Sequence, residues 1–145
     1  MTKGEAAVAV ASARHDAGVS WAELAELVGR PEVWSTAALL GQHPLEREAA
    51  DRVVARLGLG DEVAAGLTRQ PYRGVPDELL RDPTIYRLHE VVLVYGPAIK
   101  ELIHEKFGDG IMSAINFSIE VDREERDGEA RVVIRFDGKY LPYQW

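Results

Sequence analysis

The sequence predicts an α+β protein whose two parts are joined by a proline-marked connector, and three observations predict it. Up to Leu67, apolar residues recur at helical spacing between glycine stops. From Thr68 to Pro83 the run T-R-Q-P-Y-R-G-V-P-D-E-L-L-R-D-P carries three prolines and a glycine. Beyond Gly110 the apolar period falls to two. The expected division is a helical bundle over residues 1–67, an extended linker over 68–83 and a small α/β domain over 84–145.

The elements follow in order. The alanine- and valine-rich start makes a first amphipathic helix. Ser20 and Glu23 in S-W-A-E form a capping box, and Trp21, Leu24, Leu27 and Val28 give a stripe that ends at Gly29. Pro31 opens a third helix closed by Gly41. A fourth runs from Leu45 to Leu57, and D-E-V-A-A-G-L is a short fifth. After the linker, Ile85, Leu88, Val91, Val92 and Tyr95 form a stripe that Gly96-Pro97 breaks or kinks. Ala98 to Phe107 then reads as a second helix, stopped by Gly108. Ile115, Phe117, Ile119 and Val121 alternate with polar residues, Asp127-Gly128 turns the chain, and Val132, Ile134 and Phe136 line a second strand. Asp137-Gly138 reads as another turn before the tail K-Y-L-P-Y-Q-W.

A lone two-stranded hairpin is marginal in water and exposes its edges. The simplest remedy is a partner chain that adds strands. The expectation is an obligate oligomer built on an intertwined C-terminal dimer.

Composition narrows the functions. The chain has 145 residues, 46% hydrophobic, with a formal charge of −7. That acidity argues against nucleic acid or an anionic membrane as partner, while leaving room for a local anion pocket. Without cysteine there is no disulfide, thiolate nucleophile or thiolate zinc site. The apolar start is short and runs into Arg14-His15-Asp16 without a cleavage site, and no stretch reaches transmembrane length. A soluble, cytoplasmic protein is expected. Helices two and three have helix-turn-helix, lambda-repressor-like spacing. Between Ser20 and Gly60, however, six acids stand against four arginines, a net of −2. The would-be recognition helix carries Glu32 and no base past its start, so packing is preferred to DNA reading.

Several catalytic motifs fail. G-D-G-I-M-S has Ser113 where a dinucleotide loop needs its third glycine, and it runs from helix to strand. His104-Glu105 begins a zinc helix, but Gly108 stands at the second histidine position; the histidines at 15, 43, 89 and 104 are scattered. No metal site is expected. Ser113 with His104 and Asp109 lacks the elbow sequence of a hydrolase triad. What remains is Y-R-L-H-E, in which Arg87 and Glu90 share one helix face, ordinarily a weak surface ion pair.

The surrounding residues change that reading. D-P-T-I-Y-R-L-H-E-V-V-L-V-Y-G, then K-E-L-I-H-E-K-F-G-D-G-I-M-S-A-I-N-F and D-G-K-Y-L-P, closely resemble cyanase (cyanate hydratase, cyanate lyase). T-A-A-L-L-G-Q, Thr36 to Gln42, resembles the same family's N-terminal region, and the likeness runs from about Ser20 to Pro142. The resemblance implies a carbon–nitrogen lyase that converts cyanate and bicarbonate, through carbamate, into ammonia and carbon dioxide. It implies no metal or organic cofactor, with bicarbonate as co-substrate, and a homodecamer of five dimers. It also implies that Arg87, Glu90 and Ser113 are catalytic and that the 84–145 domain carries the site. A guanidinium suits paired small anions because it stays charged and donates parallel hydrogen bonds. Ser113 reads as an anion donor, with Gly108 and Gly110 allowing the close turn. Glu90 either holds Arg87 or, with its pKa raised by burial, shuttles a proton. A helix-turn-helix regulator with a dimerising C-terminal part is the alternative.

Overall fold

The computed structural model describes residues 1–71 and 77–144. It divides into two units: the N-terminal helices with the distal hairpin Ile119–Arg135, and the described residues of 77–118 with 136–144.

Five helices build the first unit: α1 (Lys3–Asp16), α2 (Trp21–Val28), α3 (Glu32–Leu39), α4 (Arg47–Leu57) and α5 (Asp61–Thr68). Each start and stop has a local cause. Thr2 Oγ1 accepts the Glu5 N–H at 3.2 Å, and the Glu5 carboxylate accepts the Thr2 N–H at 2.6 Å, a complete capping box. That bond from the Thr2 backbone holds the Glu5 carboxyl below its ordinary pKa. The box expected at Ser20 is only half formed. Ser20 Oγ accepts the Glu23 N–H at 3.1 Å, but the Glu23 carboxylate turns to Arg56 Nε on α4, 2.7 Å away. A guanidinium is a stronger partner for a carboxylate than a backbone amide, and it ties α2 to α4.

Apolar stripes of the five helices meet in one core that includes Val10, Val19, Leu24, Leu39, Val53 and Leu67. Polar links close the bundle's ends. The Leu67 carbonyl accepts both the Leu45 N–H at 3.0 Å and the buried Lys3 ammonium at 2.7 Å. Burial pulls the Lys3 pKa below that of ordinary lysine. Leu24 is fully buried, so Leu24→Ala should cost about 2–5 kcal/mol through lost transfer energy and a cavity. Urea unfolding followed by the helical CD signal checks this; a loss below about 1 kcal/mol would mean the core does not close on Leu24.

Of the linker, Asp77–Arg81 forms one 3-10 turn, and residues 72–76 lie outside the described residues. The long helix α6 (Pro83–Phe107) follows. Asp82 caps it by accepting the N–H groups of Thr84 and Ile85 at 2.9 and 3.0 Å, with Pro83 at the first helical position. The helix does not end at Gly96-Pro97, as the sequence suggests; it runs on for 25 residues with Pro97 inside. Proline forfeits one ladder bond, and the long helical runs on both sides outweigh that single loss.

Strands β1 (Gly110–Arg126) and β2 (Glu129–Pro142) form a two-stranded sheet. Asp127 and Gly128 make its turn at φ 54° and 78°, the left-handed pair that the Asp-Gly signal predicts. The second expected turn is absent: Asp137-Gly138 lies within β2. No residue of α6 is buried in the single chain. Val92, Leu93, Val94 and Tyr95 are each about 60% exposed, and Ile115 on β1 is 95% exposed. Among the described residues no helix is long and apolar enough to cross a membrane.

Candidate active site

The second unit carries all three predicted site residues. Its framework is the turn from α6 into β1. Gly108 ends the helix at φ 99°, a conformation L side chains rarely adopt. The Asp109 carbonyl accepts the Tyr143 N–H at 3.0 Å and the Tyr140 hydroxyl at 3.3 Å, which ties the turn to the C-terminal end of β2 and the tail. His104 Nε2 lies 3.2 Å from the Gly110 carbonyl oxygen and Nδ1 lies 3.5 Å from an Asp109 carboxylate oxygen. Tyr143 packs edge-on to the His104 ring, and Phe107 stacks on Tyr140 with centroids 5.4 Å apart. The turn is thus held from the helix on one side and the tail on the other. The contribution of Tyr140 and Tyr143 was hidden in the sequence because the tail read as a separate segment after a turn.

Ser113 sits three residues into β1 and is buried. Its Oγ accepts the N–H groups of Ile115 at 3.1 Å and Asn116 at 3.0 Å. A hydroxyl has two acceptor lone pairs and one proton. With both lone pairs engaged, its remaining function is to donate the proton, and the oxygen is a poor nucleophile. His104 turns to Gly110 and Asp109, not to Ser113, so no serine–histidine pair forms.

Arg87 and Glu90 lie on α6 and are exposed. The ion pair their spacing allows does not form: among the described residues neither has a salt-bridge partner. The Arg87 guanidinium carbon stands 5.7 Å from the centre of the Tyr86 ring. Within one chain no hydrogen bond among the described residues joins Arg87 or Glu90 to Ser113. A cavity of about 280 Å³ beside the Ser113 segment is lined by Ile103, Phe107, Ile111, Met112, Phe136 and Tyr140, among others. Its apolar walls do not suit paired anions. Among the described residues no group of three or more His, Asp or Glu side chains is placed to hold a metal ion.

Comparison with known proteins places this geometry in context. A family model described as the N-terminal part of cyanate hydratase matches residues 4–71, and one described as the cyanate lyase C-terminal domain matches residues 77–145. A cyanate hydratase of Mycolicibacterium vanbaalenii is 53% identical across 100% of this chain and 95% of its own. One from Marinomonas sp. is 44% identical across 99% of each chain. The crystal structure of a cyanase from T. urticae superposes with a TM-score of 0.83 at 40% identity, covering 94% of this chain and 96% of that one. Two matched segments that together span nearly the whole sequence, and relatives alike from end to end, lead to one conclusion: the chain belongs to the cyanate lyase (cyanate hydratase) family.

Proposed function

We propose that the protein is a cyanate lyase that decomposes cyanate with bicarbonate to ammonia and carbon dioxide by way of carbamate. The observation that carries the reading is the state of Ser113: a buried hydroxyl whose acceptor sites are filled by two backbone N–H groups, leaving its proton to an anion. An oxygen of bicarbonate bonds to the cyanate carbon while the nitrogen takes up a proton. The adduct breaks a C–O bond to release carbon dioxide and leave carbamate, which takes up the second proton at nitrogen and breaks its C–N bond to give ammonia and a second carbon dioxide. Cyanate, bicarbonate and two protons thus give ammonia and two molecules of carbon dioxide. Arg87 holds the anions against their repulsion and stabilises the charge on the adduct, an electrostatic role of the kind that dominates many active sites. Glu90 orients Arg87 or passes a proton. The reading calls on no metal or organic cofactor.

The site is assembled from more than one chain. Two observations support this. No hydrogen bond among the described residues joins Arg87 to Ser113 within a chain. The apolar residues of α6 and the hairpin edges are left uncovered. An apolar surface of that extent on a helix requires a partner. The proposed assembly is an intertwined dimer repeated to a decamer, in the cytoplasm, with neither nucleic acid nor membrane as partner. Family membership and the net −2 charge over Ser20 to Gly60 weigh against the DNA-binding alternative.

The test is ammonia release from cyanate by the purified protein in CO2-depleted buffer, with sedimentation velocity on the same sample. Release is expected to depend on added bicarbonate and to come from an oligomer. Bicarbonate-independent release would remove the co-substrate, and an active monomer would remove the cross-chain site.

A further inference from the structure

Gly138 lies in the interior of β2, where glycine is normally avoided because it costs chain entropy and packs nothing. Its φ lies outside the left-handed region, so its backbone conformation is open to any residue. Space is what excludes a side chain. A Cβ at 138 would collide with Met112 Cγ, lie 2.5 Å from the Ser113 carbonyl oxygen and 3.2 Å from Met112 Sδ. Gly110 repeats the arrangement from the other strand: a Cβ there would collide with the Leu141 carbonyl and lie 2.7 Å from Tyr140 Cε2 and 2.9 Å from Pro142 Cα. The two glycines let β1 from 110 to 113 press directly onto β2 from 138 to 142. The segment so clamped is the one that carries Ser113.

We propose that Gly138 is a positioning residue for Ser113: its missing side chain seats Met112 and the Ser113 carbonyl against β2, and this fixes where the Ser113 hydroxyl donates. The proposal rests on Ser113 being an anion donor in the proposed reaction. A methyl at 138 cannot be absorbed by a side-chain rotation alone, because one of the atoms it meets is backbone. The segment must move by a fraction of an ångström or more, and misplacements on the 1 Å scale in an active site cost up to about 10²-fold in rate.

The experiment compares steady-state kinetics of five purified chains, each varied in cyanate and in bicarbonate: native, Gly138→Ala, Ser113→Ala, the double variant of those two, and Gly138→Ala carrying Met112→Ala. Gly138→Ala is expected to lower kcat/KM about 10-fold or more, with the oligomer size and CD spectrum of the native protein. Met112→Ala added to Gly138→Ala is expected to restore part of that loss by freeing the thioether's space. The double variant is expected to be no slower than Ser113→Ala alone, because contacting residues that act through one group are not additive.

Losses that multiply in the double variant would overturn the proposal, since Gly138 would then act without Ser113. Native kinetics in Gly138→Ala would overturn it too. So would a chain that fails to fold even with Met112→Ala, because the glycine would then serve the fold. Native kinetics in Ser113→Ala alone would sink the underlying role of Ser113, a result separate from anything Gly138→Ala does.

Discussion

Replacing Arg87 by lysine is expected to lower kcat/KM for cyanate by about 10²–10³-fold, the range seen when one preorganised donor is removed from a reacting charge. The charge is kept, so the loss isolates geometry. A guanidinium offers parallel N–H donors to a carboxylate-like group, whereas an ammonium is a compact, strongly hydrated point charge. Arg87 suits the role because it is exposed on α6 and has no ion-pair partner among the described residues, leaving its donors available to substrate. The fall should appear mainly in kcat, because the charge that counts develops on the adduct. Initial rates of ammonia release at saturating bicarbonate measure it. Turnover within about 2-fold of native would take the fork geometry out of the mechanism and leave Arg87 only its charge.

Ser113→Ala is the second large effect, with an expected loss of about 10²-fold in kcat/KM. Two consequences separate a donor from a nucleophile. A donor's removal leaves slow turnover above the uncatalysed rate, because Arg87, the proposed anion binder, is still in place. It also weakens binding of a non-reacting dicarboxylate, which isothermal titration reads directly. A nucleophile's removal would abolish turnover and leave that binding alone. The hydroxyl's acceptor bonds favour the first outcome, since the N–H groups of Ile115 and Asn116 already occupy its lone pairs. The same bonds predict a slightly lower thermal midpoint for the variant, because the N–H groups of Ile115 and Asn116 lose their acceptor. Unchanged dicarboxylate affinity in a folded Ser113→Ala protein would contradict the donor role.

The sequence by itself determined the features that depend on a few adjacent residues. The helix start at Ser20 and the hairpin turn at Asp127-Gly128 are local events, in which a side chain satisfies a nearby amide or a glycine relieves a positive φ. The switch from helical to alternating period marked the passage from α6 to β1, because burial on one face leaves that imprint on either element. The candidates Arg87, Glu90 and Ser113 were named through the resemblance of two motifs, Y-R-L-H-E and H-E-K-F-G-D-G-I-M-S, to a known family.

Only the tertiary structure decided what depends on distant partners. Glu23 has a capping-box position, yet its carboxylate goes to Arg56, 33 residues away. Pro97 carries a helix-breaking signal, but one missing bond does not end a helix with long runs on both sides. Asp137-Gly138 has turn composition and lies in a strand, because glycine also serves where another backbone comes close, here that of Ser113. Glycine and proline report what a backbone is free to do locally. Which freedom is used depends on the atoms that fold against them, and the position of Ser113 depends on the same contact.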